Sequence, residues 1–355
     1  MGTLLQVRQD RQNRHRIACY QAWESQLADF LFKGGYEHGT FGPIDKKDRW
    51  LFRDFLARYQ FSFAGLESEI LRQLYLDLGI HASLPERLQS RNPRDRAQAA
   101  AEISAFCLGS PSKNDPPAVV ERPWRWKPGQ QLDGILDQLL PLLDEPIPWV
   151  AYAAAVALAR SGDLRFAAPV LSWVMHQDSY QRERLLQVLE GFGPDLLTWM
   201  KDHLGSPDQD PEPWVLYALL VGSHRHLESQ PRLLWLLVTR HVNLQVSVLK
   251  ALIILADPGS YSRVLPFVKN PAWEIRIQAA RALGALGGPA AIPDLLPMVT
   301  DPVFDVRRNA AQSLLELGHA GREALVFVSE DPSADPFARD IARERLEWVD
   351  ERGHL

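Results

Sequence analysis

Apolar residues in the last third of the chain recur with the period of an α-helix. Ile275, Ala279, Leu283 and Leu286 stand at i, i+4, i+8 and i+11, which places them on one stripe of a helix. The stripe returns 31 positions later as Val306, Ala310, Leu314 and Leu317. The flanking residues return with it: VLPFVKNP at 264–271 becomes LLPMVTDP at 295–302, Glu274 becomes Asp305, Arg276 becomes Arg307, and Gly287 becomes Gly318. An earlier phrase, LLPLLDEP at 139–146, is followed by Val150, Ala154, Ala155, Leu158 and Gly162. Pro146 and Pro271 lie 125 residues apart, four periods of slightly over 31. Weaker copies fill the gap, with loops near Asp178, Pro207 and His241. A last copy opens at Asp331-Pro332, and a further one at Pro93, where Ala97, Ala101, Leu108 and Gly109 hold the offsets.

Each unit reads as helix, tight turn, helix, loop. Pro271 lacks a donor and biases Asn270 away from the α region, so it ends the preceding helix. Glu274 and Asp305 fall in a first helical turn, where a carboxylate meets the positive end of the macrodipole. Gly287 and Gly318 are placed to close their helices in a left-handed cap, and the alanine pair 279–280 lets a neighbouring helix approach. A single pair cannot bury both its faces, so the pairs must stack. The pattern therefore predicts an all-α fold, an α-solenoid of about 7–8 helix pairs. It covers 131–355, with a divergent repeat at 84–109 and a charged capping helix after Pro336.

The rest of the chain departs from the period. Residues 1–16 form a basic arm, with Arg8, Arg11, Arg14 and Arg16 against Asp10 alone. Residues 17–83 form an N-terminal helical module with helices expected at 17–32, 46–59 and 66–78, and a glycine-rich loop at 34–43. Its aromatics, among them Trp23, Phe30, Trp50, Phe52 and Phe55, are expected to make its own core. Residues 110–130 carry five prolines and no period, an insertion between two repeats. Within it, Trp124, Arg125 and Trp126 either pack across the array or offer a clamp to a partner.

The pattern DP-x-x-D/E-V/I-R-x-x-A-A-x-A/S-L-x-x-L-G, complete at 301–318 and nearly so at 270–287, resembles HEAT repeats of the phycocyanobilin-lyase-like bacterial type. The resemblance implies a fold and leaves function open, because such arrays serve many tasks. A second resemblance lies at the other end. The basic stretch leading into a tryptophan-bearing helix, Arg14 to Trp23, is similar to bacterial membrane-anchored HEAT-repeat proteins that accompany glycosyltransferases of exopolysaccharide systems. It implies a non-catalytic scaffold or adaptor for a protein partner at the cytosolic face of a membrane, that partner being a membrane glycosyltransferase or its regulator. It also implies a cytoplasmic array tethered by an N-terminal membrane helix upstream of Leu4. Arg8, Arg11, Arg14 and Arg16 would then face anionic headgroups.

Composition narrows the chemistry. Hydrophobic residues make up 46% and charged residues 23%, and the net charge of −5 gives no electrostatic footing for nucleic acid. The longest stretch without Asp, Glu, Lys or Arg, 146–159, is 14 residues, short of the about 20 that span a bilayer. The two cysteines, Cys19 and Cys107, form no CxxC pair. None of the ten histidines precedes a glutamate, so HExxH and the His-Glu pairs of the HEAT-like iron hydroxylases are both missing. GxSxG, Walker A and dinucleotide fingerprints are missing too. No catalytic residue, metal ligand or cofactor is assigned. Two other readings stand beside the scaffold: a HEAT-fold enzyme, bilin lyase-like or DNA glycosylase-like, and a small-ligand or nucleotide sensor. Arg276, Arg307 and Arg339 form a ladder that either binds an acidic partner or pairs with Glu274 and Asp305 inside the array.

Overall fold

The computed structural model describes residues 2–32, 41–59, 71, 74–76, 78–107, 133–178 and 185–352. Among them there are helices and no strand, and the fold class is the expected all-α solenoid. The insertion at 110–130, the loop at 34–40 and most of the expected helix at 66–78 lie outside the described residues. The chain divides into two compact units, 1–177 with 187–192, and 178–186 with 193–355.

In the second unit five long helices begin about one period apart: α10 (Glu212–Ser223), α12 (Val242–Leu255), α14 (Trp273–Gly287), α16 (Phe304–Glu316) and α18 (Pro336–Arg352). Each packs on the next. Small residues make the approach possible. Ala279, Ala280, Ala310 and Ala311 are fully buried, and a Cβ on Gly284 would press on Ser313 of the next repeat. Leu283 and Leu314 point into the seams with no exposure.

The first member of each pair is shorter than the sequence suggests. The LPxx phrases fold as 3₁₀ turns, Leu140–Asp144, Leu265–Lys269 and Leu296–Thr300. Proline at the second position of each has no N–H, so the chain tightens to i→i+3 bonding there. The helix ends also differ in detail. Gly318 has a positive φ of 76° but a ψ of −144°, outside the expected left-handed cap, whereas Gly287 stays at φ −99° and its neighbour Gly288 turns the chain at φ 53°. Gly287 serves another need: a Cβ there would collide with the Tyr261 ring.

Adjacent repeats are also stitched along their short helices. Gln230 donates to Ser260 Oγ at 2.7 Å and to Asp257, and Tyr261 donates to Asp294 at 2.6 Å. Burial, reinforced by that bond, pushes the Tyr261 phenol pKa well above its ordinary value.

In the first unit α4 (Pro93–Glu102) packs on α6 (Pro148–Arg160), which also rests on α7 (Ala167–Met175). The basic arm is not separate from the first helix of the module: both belong to α1 (Gly2–Phe32). Only Trp23, Leu27 and Phe30 of its described side chains are buried, at i, i+4 and i+7. They meet α2 (Arg49–Tyr59), where Trp23 stacks edge-on to Phe52 at 5.0 Å, so Trp23, Phe30, Phe52 and Phe55 form a core among the described residues, while Trp50 is exposed.

A buried carboxylate joins module to repeat. Glu102, on α4, accepts two bonds from Arg87 at 2.7 and 2.9 Å and one from Tyr75 at 2.9 Å, and Arg53 of α2 lies 3.4 Å away. Removing one side of such a cluster leaves a buried charge uncompensated. Glu102→Ala is expected to cost about 3–5 kcal/mol, read as an earlier transition in denaturant. Leu283→Ala or Leu314→Ala is expected to cost about 2–5 kcal/mol through the cavity left behind.

Candidate interaction site

The repeated arginine has a structural task. Arg276 reaches back to the carbonyls of Asn270 at 2.9 Å and Pro271 at 3.2 Å, and forward to both carboxylate oxygens of Asp301 at 2.7 and 2.9 Å. The carbonyls of the loop ahead of the helix thus have a donor, and the guanidinium clamps the next repeat by a bidentate pair. The Asp301 hydrogen bonds hold the Arg276 pKa above its already high ordinary value, against the opposing effect of burial. Arg307 repeats the backward half, with bonds to the carbonyls of Asp301 at 2.7 Å and Pro302 at 3.2 Å. Its forward partner is the Phe337 ring, 5.0 Å away. In the first unit Arg96 does both, to the Ser90 carbonyl and to Glu145, each at 2.7 Å.

The expected partners Glu274 and Asp305 are therefore replaced by Asp301, a loop residue one repeat on. The loop acid is better placed because it also closes a turn just ahead of its own helix, accepting from Val303 N at 2.8 Å. Asn270 and Asn92 accept in the same way from Ala272 and Arg94. Arg276 and Arg307 are thus held within the array and present little charge to a partner. Arg339 is half-buried, and its Nε makes no hydrogen bond. Trp124, Arg125 and Trp126 lie outside the described residues. Arg11, Arg14 and Arg16 are exposed along α1, and only the backbone of Arg8 is described.

What the second unit exposes instead is apolar. Val242, Trp273 and Phe304 each open a long helix, spaced 31 residues apart, and are 37%, 42% and 49% exposed. Phe337, second residue of α18, is more exposed still. Each stands on the loop side of its repeat, beside the buried arginine three positions on in Trp273 and Phe304. Trp235 is also exposed, with Arg232 stacked over it at 4.4 Å and over Trp214 at 4.8 Å. Equivalent positions on helices that stack side by side share one face, so these side chains form a row that advances with the repeats. The row was visible in the sequence as the 31-residue shift from Trp273 to Phe304.

The first unit carries a groove of about 800 Å³, lined by Asp144, Glu145, Trp173 and His176 among others. Two of its polar groups are engaged: Glu145 by Arg96, and the His176 Nδ1 by the Ser172 carbonyl at 2.7 Å. In the second unit His226, two residues after His224, has its Nδ1 on Ser229 Oγ at 2.9 Å.

A family profile described as HEAT repeats matches residues 229–316. These residues are HEAT repeats. The segment holds two of the three seams around the aromatic row and the Arg276–Asp301 clamp. No curated protein matches the sequence. Among solved structures, the chain is similar to Kap121p bound to Pho4p, at 12% identity and TM-score 0.39, over 87% of this chain and 42% of that one. This chain thus spans less than half of Kap121p. It is also similar to human deoxyhypusine hydroxylase, at 16% identity and TM-score 0.29 over 79% and 99% of the two chains. The CpcE–CpcF complex of phycocyanin lyase from Nostoc sp. PCC7120 is similar at 17% identity and TM-score 0.28, over 75% of this chain and 86% of that one.

The clamp should be energetically coupled. In a double-mutant cycle of Arg276→Gln and Asp301→Asn, the interaction energy is expected at about 1–3 kcal/mol. Additive effects would assign the pair no role in joining repeats.

Proposed function

We propose that the chain is a non-catalytic scaffold that holds a protein partner along the aromatic row of its second unit. The observation that carries this reading is the row itself: exposed apolar side chains at the same place in three successive repeats, Val242, Trp273 and Phe304, on helices that stack in register. Aromatics of this kind dominate binding energy at protein interfaces, while scattered polar contacts contribute little. Repeats advance by about 10 Å each, so the fitting partner is a segment offering apolar side chains at that interval. The engagement of Glu145 and His176 in local bonds supports a binding role over an acid–base one.

A photo-crosslinker placed at position 273 or 304 should trap one discrete partner in the native host, and one placed at Arg281 or Glu316 should not. Trp273→Ala is expected to weaken the captured complex by about 2 kcal/mol or more. Equal crosslinking from all four positions would remove the row as the binding face.

The finer reading places this partner at a membrane, as a membrane glycosyltransferase or its regulator. The supporting observation is α1, about 46 Å long by its rise per residue, in which residues 11–18 are exposed on every face and include three arginines. Such a helix suits a stalk between array and bilayer. The protein should sediment with anionic vesicles at low salt and be released at physiological salt, because exposed charges are screened there. Equal binding to neutral vesicles would rule out the arginines as the cause.

A further inference from the structure

His15 and Cys19 lie one helical turn apart on α1, on the same face, as metal-binding pairs at i and i+4 do. The 3₁₀ turn Lys46–Asp48, just before α2, brings Asp48 against them. The Asp48 Oδ1 is 2.9 Å from His15 Nε2, the Cys19 Sγ is 3.6 Å from the same nitrogen, and the three ligand atoms lie within 4.8 Å of one another. A tetrahedral zinc with bonds of about 2.0–2.3 Å has ligand–ligand edges of about 3.3–3.6 Å. The cluster therefore needs only small side-chain shifts to surround one ion.

We propose that His15 Nε2, Cys19 Sγ and the Asp48 carboxylate bind a zinc ion, which pins α1 to the turn that leads into α2. The donor set of one imidazole, one thiolate and one carboxylate is borderline in softness and suits zinc over magnesium or calcium. The fourth position faces solvent, since His15 is half exposed, so water completes the tetrahedron and the ion has a path of entry.

A catalytic cysteine fits less well. In a nucleophile–base–acid triad the carboxylate holds the imidazole nitrogen remote from the nucleophile. Here the thiol lies nearer the nitrogen that the carboxylate already holds, at 3.6 Å against 4.0 Å from Nδ1. Burial first, and then the Asp48 charge, push the Cys19 thiol pKa up, with Lys47 opposing, which disfavours a free thiolate. A dication reverses that repulsion, because both anionic ligands then face a positive charge. Lys47 does not fill the site, being paired with Asp45 at 3.3 Å. Cys19 carries a free thiol. Sequence spacing left the site hidden because Asp48 is 33 residues from His15.

The test uses the full chain, purified under reducing conditions and stripped with a chelator, with cobalt(II) as the spectroscopic stand-in for zinc. One equivalent should give tetrahedral ligand-field bands and a thiolate-to-cobalt charge-transfer band, displaced by zinc. Cys19→Ser should abolish the charge-transfer band, and Asp48→Asn should weaken binding at least about tenfold, while His226→Ala changes neither. Zinc should also slow alkylation of Cys19 in the unmutated protein, followed by peptide mapping, which needs no variant to fold. No cobalt binding, a charge-transfer band that survives Cys19→Ser, or alkylation of Cys19 indifferent to zinc would overturn the site.

Discussion

The array depends on one arginine per clamp that is bonded in two directions. Its backward bonds supply a donor to carbonyls of the loop ahead of its own helix, and its forward bonds take a carboxylate from the loop of the next repeat. A helix pair with this residue is therefore incomplete without its neighbour. Where the loop acid is engaged elsewhere, as Asp331 is by Ser333, the forward partner becomes the ring of Phe337. Where the arginine is missing, Gln245 keeps a backward bond to the Leu237 carbonyl at 2.7 Å. The aligned helices are then held in register by packing of small residues, Gly222 against Ala251 and Gly284 against Ser313.

This arrangement decides what is left for a partner. The clamp residues are turned inward, so the recurring positive charge contributes to cohesion and not to the outer surface. The residue that opens α12, α14 and α16 is turned outward, and there the chain places valine, tryptophan and phenylalanine. Register is shared between the two: the bonds that fix Arg276 also fix the spacing of Trp273 and Phe304. A partner that reads the row reads the clamp indirectly.

The repeats were legible because the period is written several times over, in the LPxx phrase, the alanine pairs and the terminal glycines. Leu283, Leu314, Ala279 and Ala310 stand where the stripe put them. The short helices were less legible, because a proline that breaks a helix and one that tightens it to a 3₁₀ turn look alike in sequence. Gly287 was read for its backbone freedom, yet it is needed for room beside Tyr261, a contact with a residue 26 positions away in the sequence. The partner of Arg276 was placed on the neighbouring acids Glu274 and Asp305, because local spacing shows which charges are near in sequence and not which lie across a seam. The Glu102 hub and the His15–Cys19–Asp48 cluster bring together residues from separate elements, and no periodicity records them.

The central claim is that cohesion between α14 and α16 passes through the Arg276–Asp301 clamp. Asp301→Asn tests it directly, because asparagine keeps the helix-start bond, as Asn270 does one repeat earlier, while losing the charge that Arg276 requires. Hydrogen exchange on the full chain should show faster exchange confined to α14 and α16, with α4 and α6 unchanged. Uniform loosening of the whole chain, or no change at all, would contradict the account.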